Sequence, residues 1–274
     1  MLRRAFLTGV AGAVVAAGAL AAAAGPAAAQ TNPIGPLVPL PGKALPAHGG
    51  TAYSLNWSGY AVTPGGGVTA VHSAFTVPAA GLVPPGFAAT WAGIGGYNTS
   101  DLIQAGVAEN SLPSNPLFGP QYYAWYELLP AAETPISGCS GDSSCSVRPG
   151  DQVSVSIANA GGSAWNISMT DSGHWSWSKQ VSYGSSESSA EWILEAPTVG
   201  AQTILANTGT THFGPTSTYT QGGASHTIAA GNPTRIILSP LPIGGLFNEA
   251  TPSALASDGQ SFNDCAYRTT CPTP

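Results

Sequence analysis

Charge is what this sequence uses least: of 274 residues, only 7 are Lys or Arg and 13 are Asp or Glu. Beyond residue 50 the bases are Arg148, Lys179, Arg235 and Arg268. That is too few for the basic surface that neutralises a phosphate backbone, so nucleic acid is excluded as a partner. A sparsely charged chain also gains little self-repulsion when its carboxylates are protonated, which leaves an acidic working environment open. After the first thirty residues no apolar run reaches the ~20 residues of a spanning helix, so no membrane partner is expected.

Several catalytic signatures are missing as well. There is no G-x-S-x-G elbow, no phosphate-cradling G-x-x-x-x-G-K-[ST], no dinucleotide fingerprint, no C-x-x-C and no H-E-x-x-H. His48, His72, His174, His212 and His226 are scattered singly, so neither metal nor cofactor is expected. "TDSGH" contains Asp171-Ser172-Gly173 in the D-[ST]-G form of aspartic peptidases, but that chemistry needs two carboxylates sharing a proton, and no second copy occurs. The stretch reads as a turn.

What is present begins with an address. Arg3 and Arg4 precede a long Ala/Val/Leu run ending in "AAAQ", the pattern of an export signal cleaved after Ala29. "RRAFL" suits the twin-arginine receptor or a Sec signal, and either predicts secretion. Residues 30–50 carry Pro33, Pro36, Pro39, Pro41 and Pro46, which deny them a helix or a central strand. They read as a linker or short propeptide, and residues 51–274 as one domain.

That domain reads as strands and turns. "DQVSVSIANAGG" alternates Val153, Val155 and Ile157 with polar neighbours, the period of a half-buried strand. "AWNISMT" and "HWSWSKQVSY" flank "DSG", which predicts a hairpin over 164–183. "SAFTVP", "ATWAGIGG" and "TRIILSP" are further short strands ended by Pro or Gly, and no segment keeps a helical period. An all-β sandwich of antiparallel sheets follows. The cysteines occur as Cys139/Cys145 and Cys265/Cys271 in turn-rich stretches; three connectivities are possible, and two local disulfides fit best in an exported protein.

The most informative stretch is "SAEWILEAP". As a strand it puts Glu191, Ile193 and Glu195 on one face and Trp192 and Leu194 on the other, one face core and the other a cleft. With "NWSGYAV", "SAFTVP", "TWAGIGG", "DLIQAGV" and "YYAWYELLP" preceding it in that order, the chain from about Asn56 to Pro197 resembles the glutamic peptidase (eqolisin) family, with an echo at "FNDCAY". The resemblance implies a concanavalin-like sandwich of two bent antiparallel sheets and a secreted, monomeric acid endopeptidase acting on polypeptides. It implies a catalytic pair in which "LIQAG" supplies Gln104 and the second glutamate of "AEWILE" supplies Glu195. Trp57 and Trp91 match tryptophans lining the family's substrate cleft, and Glu127 in "AWYE" an acidic residue there. Gly95 and Tyr123 stand where fungal members commonly have Asp, and the cysteines depart from the fungal layout, as in a bacterial-type member.

The chemistry is coherent with those residue types. A carboxylate can activate water and then protonate the departing amine, while a Gln amide donates N–H to the oxyanion without titrating. An ordinary carboxylate pKa of ~4.3 suits acid, whereas burial beside Trp and Leu would push it up. Two other readings compete. A sandwich glycosidase carries E-x-D-x-E, but Ile193 replaces the middle acid, and positions i and i+4 of an ideal strand lie ~13 Å apart. A binding module for polysaccharide or peptide would use the same aromatics without turnover. Lys43, the single base of residues 30–50, is a candidate contact for a cleft carboxylate if that segment fills the cleft.

Overall fold

A computed structural model describes residues 35–39, 43–111, 119–199, 201–240 and 248–274. The expected export signal and its expected cleavage after Ala29 fall outside the described residues. In chain order the strands are β1 (Thr51–Ser54), β2 (Trp57–Val62), β3 (Val68–Thr76), β4 (Ala89–Gly95), β5 (Leu102–Asn110), β6 (Gln121–Leu128), β7 (Thr134–Pro135), β8 (Gln152–Gly161), β9 (Ala164–Asp171) and β10 (Trp175–Ser182). They continue with β11 (Ala190–Glu195), β12 (Thr198–Val199), β13 (Ala201–Gln202), β14 (Thr210–Phe213), β15 (Thr218–Gln221), β16 (Ala224–Thr227), β17 (Thr234–Leu238), β18 (Ala250–Pro252) and β19 (Phe262–Ala266). Among the described residues the helical part is one 3-10 turn, Ala229–Gly231.

One layer runs β1–β17–β2–β11–β4–β5–β6–β7, antiparallel except for the parallel β1–β17 pair. The other runs β16–β15–β3–β8–β9–β10. The ladder β17–β18–β19–β14–β3 carries hydrogen bonding from one layer into the other. This is the β-sandwich expected from the sequence.

The period-2 patterns explain which faces meet. In β8, Val153, Val155 and Ile157 are fully buried and lie opposite Phe75, Ser73 and Val71 of β3. With Ile167 and Met169 they pack on Tyr60, Ile94, Ile103, Val107 and Trp192 of the first layer. Burying each large apolar side chain contributes ~1.5–3 kcal/mol, so this interlayer core holds the sandwich closed. The central strands β4, β5 and β11 are buried on both faces. That close packing selects glycine where backbones approach: Gly59 has φ +134°, and a Cβ there would stand 2.1 Å from the Trp192 carbonyl oxygen.

The predicted hairpin over 164–183 is β9 and β10, paired in register from Trp175 opposite Asp171 to Ser182 opposite Ala164. Asp171–His174 forms its turn, as the D-S-G stretch suggested. Both disulfides are local, Cys139–Cys145 and Cys265–Cys271, each with a Cα separation of 5.5 Å. The described part of residues 30–50 packs on the domain: Pro39 bridges Ser54, the Tyr97 hydroxyl donates to the Pro46 carbonyl (2.9 Å), and Gly49 N–H donates to the Asn232 carbonyl (2.9 Å).

Candidate active site

Register across β11, β4, β5 and β6 lays three rows of side chains on the face away from the interlayer core. One row is Glu191, Gly93, Gln104 and Glu127; the next is Ile193, Trp91, Gly106 and Trp125; the third is Glu195, Ala89, Ala108 and Tyr123. Paired residues of antiparallel neighbours point to the same side, so the sequence-predicted Gln104, Glu195, Trp91 and Glu127 share one surface. Trp57, opposite Glu195 on β2, adds its ring, edge-on to Trp91 at a centroid distance of 4.9 Å.

Glu195 is fully buried and fixed at both oxygens. Its Oε2 accepts from Trp91 Nε1 at 3.0 Å, and its Oε1 accepts from Asn56 Nδ2 at 3.1 Å and from the Gly35 backbone N–H at 3.2 Å. Burial pushes its carboxyl well above the ordinary value and the nearby Glu127 carboxyl adds to that, while the three N–H donors pull the other way. Burial therefore wins the contest that the sequence left open. The Gln104 Nε2 donates to Glu127 Oε2 at 2.6 Å. A Gln amide carries two N–H donors, and the one bonded to Glu127 fixes the amide plane.

Glu191 lies on the same face but in different company. Its carboxyl is also raised well above the ordinary value by burial, with the Ser189 hydroxyl lowering it and Asp101 raising it. Trp125 is fully buried in the apolar cluster with Trp57 and Trp91. Lys43 is not the contact to a cleft carboxylate: its ammonium lies over the Tyr53 ring, 5.7 Å from the centroid, and the Gly35 backbone N–H reaches Glu195 instead. Sequence reasoning missed Asn56 as a ligand of that carboxyl, although "NWSGYAV" places it beside Trp57.

The Gly95 position has a structural reason. Its φ is +90°, and an added Cβ would fall 2.5 Å from the Asp101 carbonyl oxygen, so the backbone here admits no aspartate without moving. Tyr123, the other departure, donates its hydroxyl to Glu133 Oε1 at 2.7 Å. Away from this face, Asp151, Asp171 and His174 gather at the β9–β10 turn, with ligand-type atoms within 4.8 Å of one another. His174 Nδ1 and Asp171 Oδ2 are 3.0 Å apart, which raises the histidine, while burial raises the aspartate.

This face thus brings together a buried carboxyl, a Gln amide bonded to a second carboxyl and two tryptophans packed edge to face. The model of the Peptidase A4 family matches residues 55–239, so the chain belongs to that family, the glutamic peptidases or eqolisins, and is a glutamic endopeptidase. The fold is similar to scytalido-glutamic peptidase with a transition state analog inhibitor (TM-score 0.61, 18% identity, covering 78% of this chain and 98% of that one). A second structure of scytalido-glutamic peptidase, with a peptide-based transition state analog, gives 0.58, 18%, 77% and 98%. SCP-B, an eqolisin in complex with the tripeptide Ala-Ile-His, gives 0.56, 16%, 78% and 98%. No curated protein matches.

Proposed function

We propose that Glu195 and Gln104 form the catalytic pair of a secreted peptidase that hydrolyses polypeptides with water as the nucleophile. Glu195 takes a proton from water as the water oxygen bonds to the scissile carbonyl carbon. Gln104 donates an N–H to the resulting oxyanion. As the tetrahedral intermediate collapses, the C–N bond breaks and the Glu195 proton passes to the departing nitrogen. Asn56 and Trp91 orient the carboxyl, and Glu127 orients the Gln104 amide. Trp57 and Trp91 line the substrate groove. Both disulfides suit an oxidising compartment, which supports secretion.

The observation that carries this reading is that Glu195, held by two side-chain N–H donors, already meets a peptide backbone N–H in the groove. Glu191, with Ser189 and Asp101 as neighbours, has no such contact with the 35–39 segment. The test is hydrolysis of acid-denatured haemoglobin from about pH 2 to 7 by the native chain and by folded Glu195→Gln, Gln104→Ala and Glu191→Gln. Loss of about a thousandfold or more in the first two, with Glu191→Gln retaining activity, is expected. Loss in Glu191→Gln with survival in Glu195→Gln would move the base to Glu191.

A further inference from the structure

The segment Gly35–Pro39 lies in the groove as an extended peptide would. Its backbone N–H groups are all taken up: Gly35 by Glu195 Oε1 at 3.2 Å, Leu37 by the Gly96 carbonyl at 3.0 Å, and Val38 by Asn56 Oδ1 at 2.8 Å. Pro36 and Pro39 have none to offer. Three of its carbonyls are taken up too, Gly35 by Trp57 Nε1 (3.0 Å), Pro36 by Asn56 Nδ2 (3.1 Å) and Val38 by Leu55 N–H (2.8 Å). Asn56 thus holds the segment with one end of its amide while the other end holds both the segment and Glu195. Leu37 is 7% exposed and joins the apolar cluster of Trp57, Trp91, Tyr97 and Leu102, whereas Val38 is 39% exposed and Pro39 is exposed as well. Backbone bonds to fixed partners with a side chain inserted in a pocket are how a protein holds an extended peptide.

We propose that residues 35–39 are an intramolecular, substrate-like inhibitor of the groove, and that the pocket holding Leu37 is the subsite that selects a branched aliphatic side chain in substrates. This rests on the peptidase reading of the site. Backbone recognition is open to any extended chain, so the discrimination falls on the one inserted side chain, and the walls that meet it are apolar. Proline at 36 and 39 restricts the segment before it binds, which lowers the ordering cost. Tethering supplies it at an effective concentration of about millimolar. Cleavage after Ala29 would leave the segment in place. Release requires a second cut between Pro39 and the anchored Pro46–Gly49 stretch, or its displacement by substrate.

The test compares the full secreted chain, beginning at Gln30, with Leu37→Asp and, should that variant fold poorly, Leu37→Ala. Peptidase activity is read beside binding of a labelled five-residue peptide of the 35–39 sequence and of the same peptide with Asp in the leucine place. The substituted chain should be at least about tenfold more active and lack any lag. It should bind the leucine peptide and be inhibited by it, should ignore the aspartate peptide, and should cleave best where a branched aliphatic residue can fill the pocket. The native chain should bind the labelled peptide at least about tenfold more weakly. Dyad-dependent activity that is indifferent to Leu37, with no difference in peptide binding, overturns the inference and leaves the peptidase reading intact. Peptide binding to the substituted chain without any proteolysis upholds the segment as occupant and sinks the peptidase reading.

Discussion

Burial of Asp264 makes stability depend on pH in a way that one substitution isolates. Asp264 on β19 is fully buried; its Oδ1 accepts from the Ser58 hydroxyl at 2.8 Å, and burial raises its pKa from 3.8 to about 8 despite the Ser58 bond and the Arg235 guanidinium. A carboxyl raised in the folded state keeps its full contribution below the unfolded pKa and loses it as pH climbs toward the folded one. Between pH 4 and 8 the folded chain holds one more proton at this site than the unfolded chain. Unfolding free energy should therefore fall by about 1.4 kcal/mol per pH unit from this group alone. Asp264→Asn removes the titration and keeps the acceptor for Ser58. Any constant penalty, about 1–3 kcal/mol for a poorly paired amide, shifts the curve without tilting it. Urea unfolding at half-unit steps from pH 3.5 to 7.5 should give a slope shallower by about 1.4 kcal/mol per pH unit in the variant. Parallel curves would show that Asp264 is ionised in the folded protein and would refute the argument.

Asn56→Ala deletes a donor to the Glu195 carboxyl, so the acid limb of kcat/KM should move up by about one pH unit, worth about 1.4 kcal/mol, in a pH-rate profile; an unmoved limb would show that Asn56 does not favour the ionised base. Gly95→Asp restores the residue common in fungal relatives, but φ +90° and the Asp101 carbonyl stand against it, and a loss of about 2 kcal/mol or more is expected in thermal or urea unfolding. Unchanged stability there would mean that the turn relaxes freely.

The strand content, the hairpin over 164–183 and both disulfides were legible because each depends on local pattern: period-2 alternation, a D-S-G turn, and cysteines six residues apart. Gln104, Glu195, Trp57 and Trp91 were singled out through ordered motifs, not through spacing, and what the structure adds is that sheet register brings these distant positions to one face. Asn56 was hidden because its role depends on a contact 139 positions away. The sequence raised the segment 30–50 as a candidate cleft occupant through Lys43, but not the backbone bonds of residues 35–39 to Asn56, Gly96 and Glu195, which no local rule names.

By itself the sequence determined a sparsely charged all-β chain with two local cross-links and two glutamates on one strand face. Tertiary structure decided that Glu195 and not Glu191 accepts from the Gly35 backbone N–H, that burial raises its pKa, and that the backbone at 95 favours glycine. Those outcomes are sums over neighbours from distant strands. A carboxyl's solvation and its hydrogen-bond donors are set where β11, β4 and β2 come together, and no single segment contains that information.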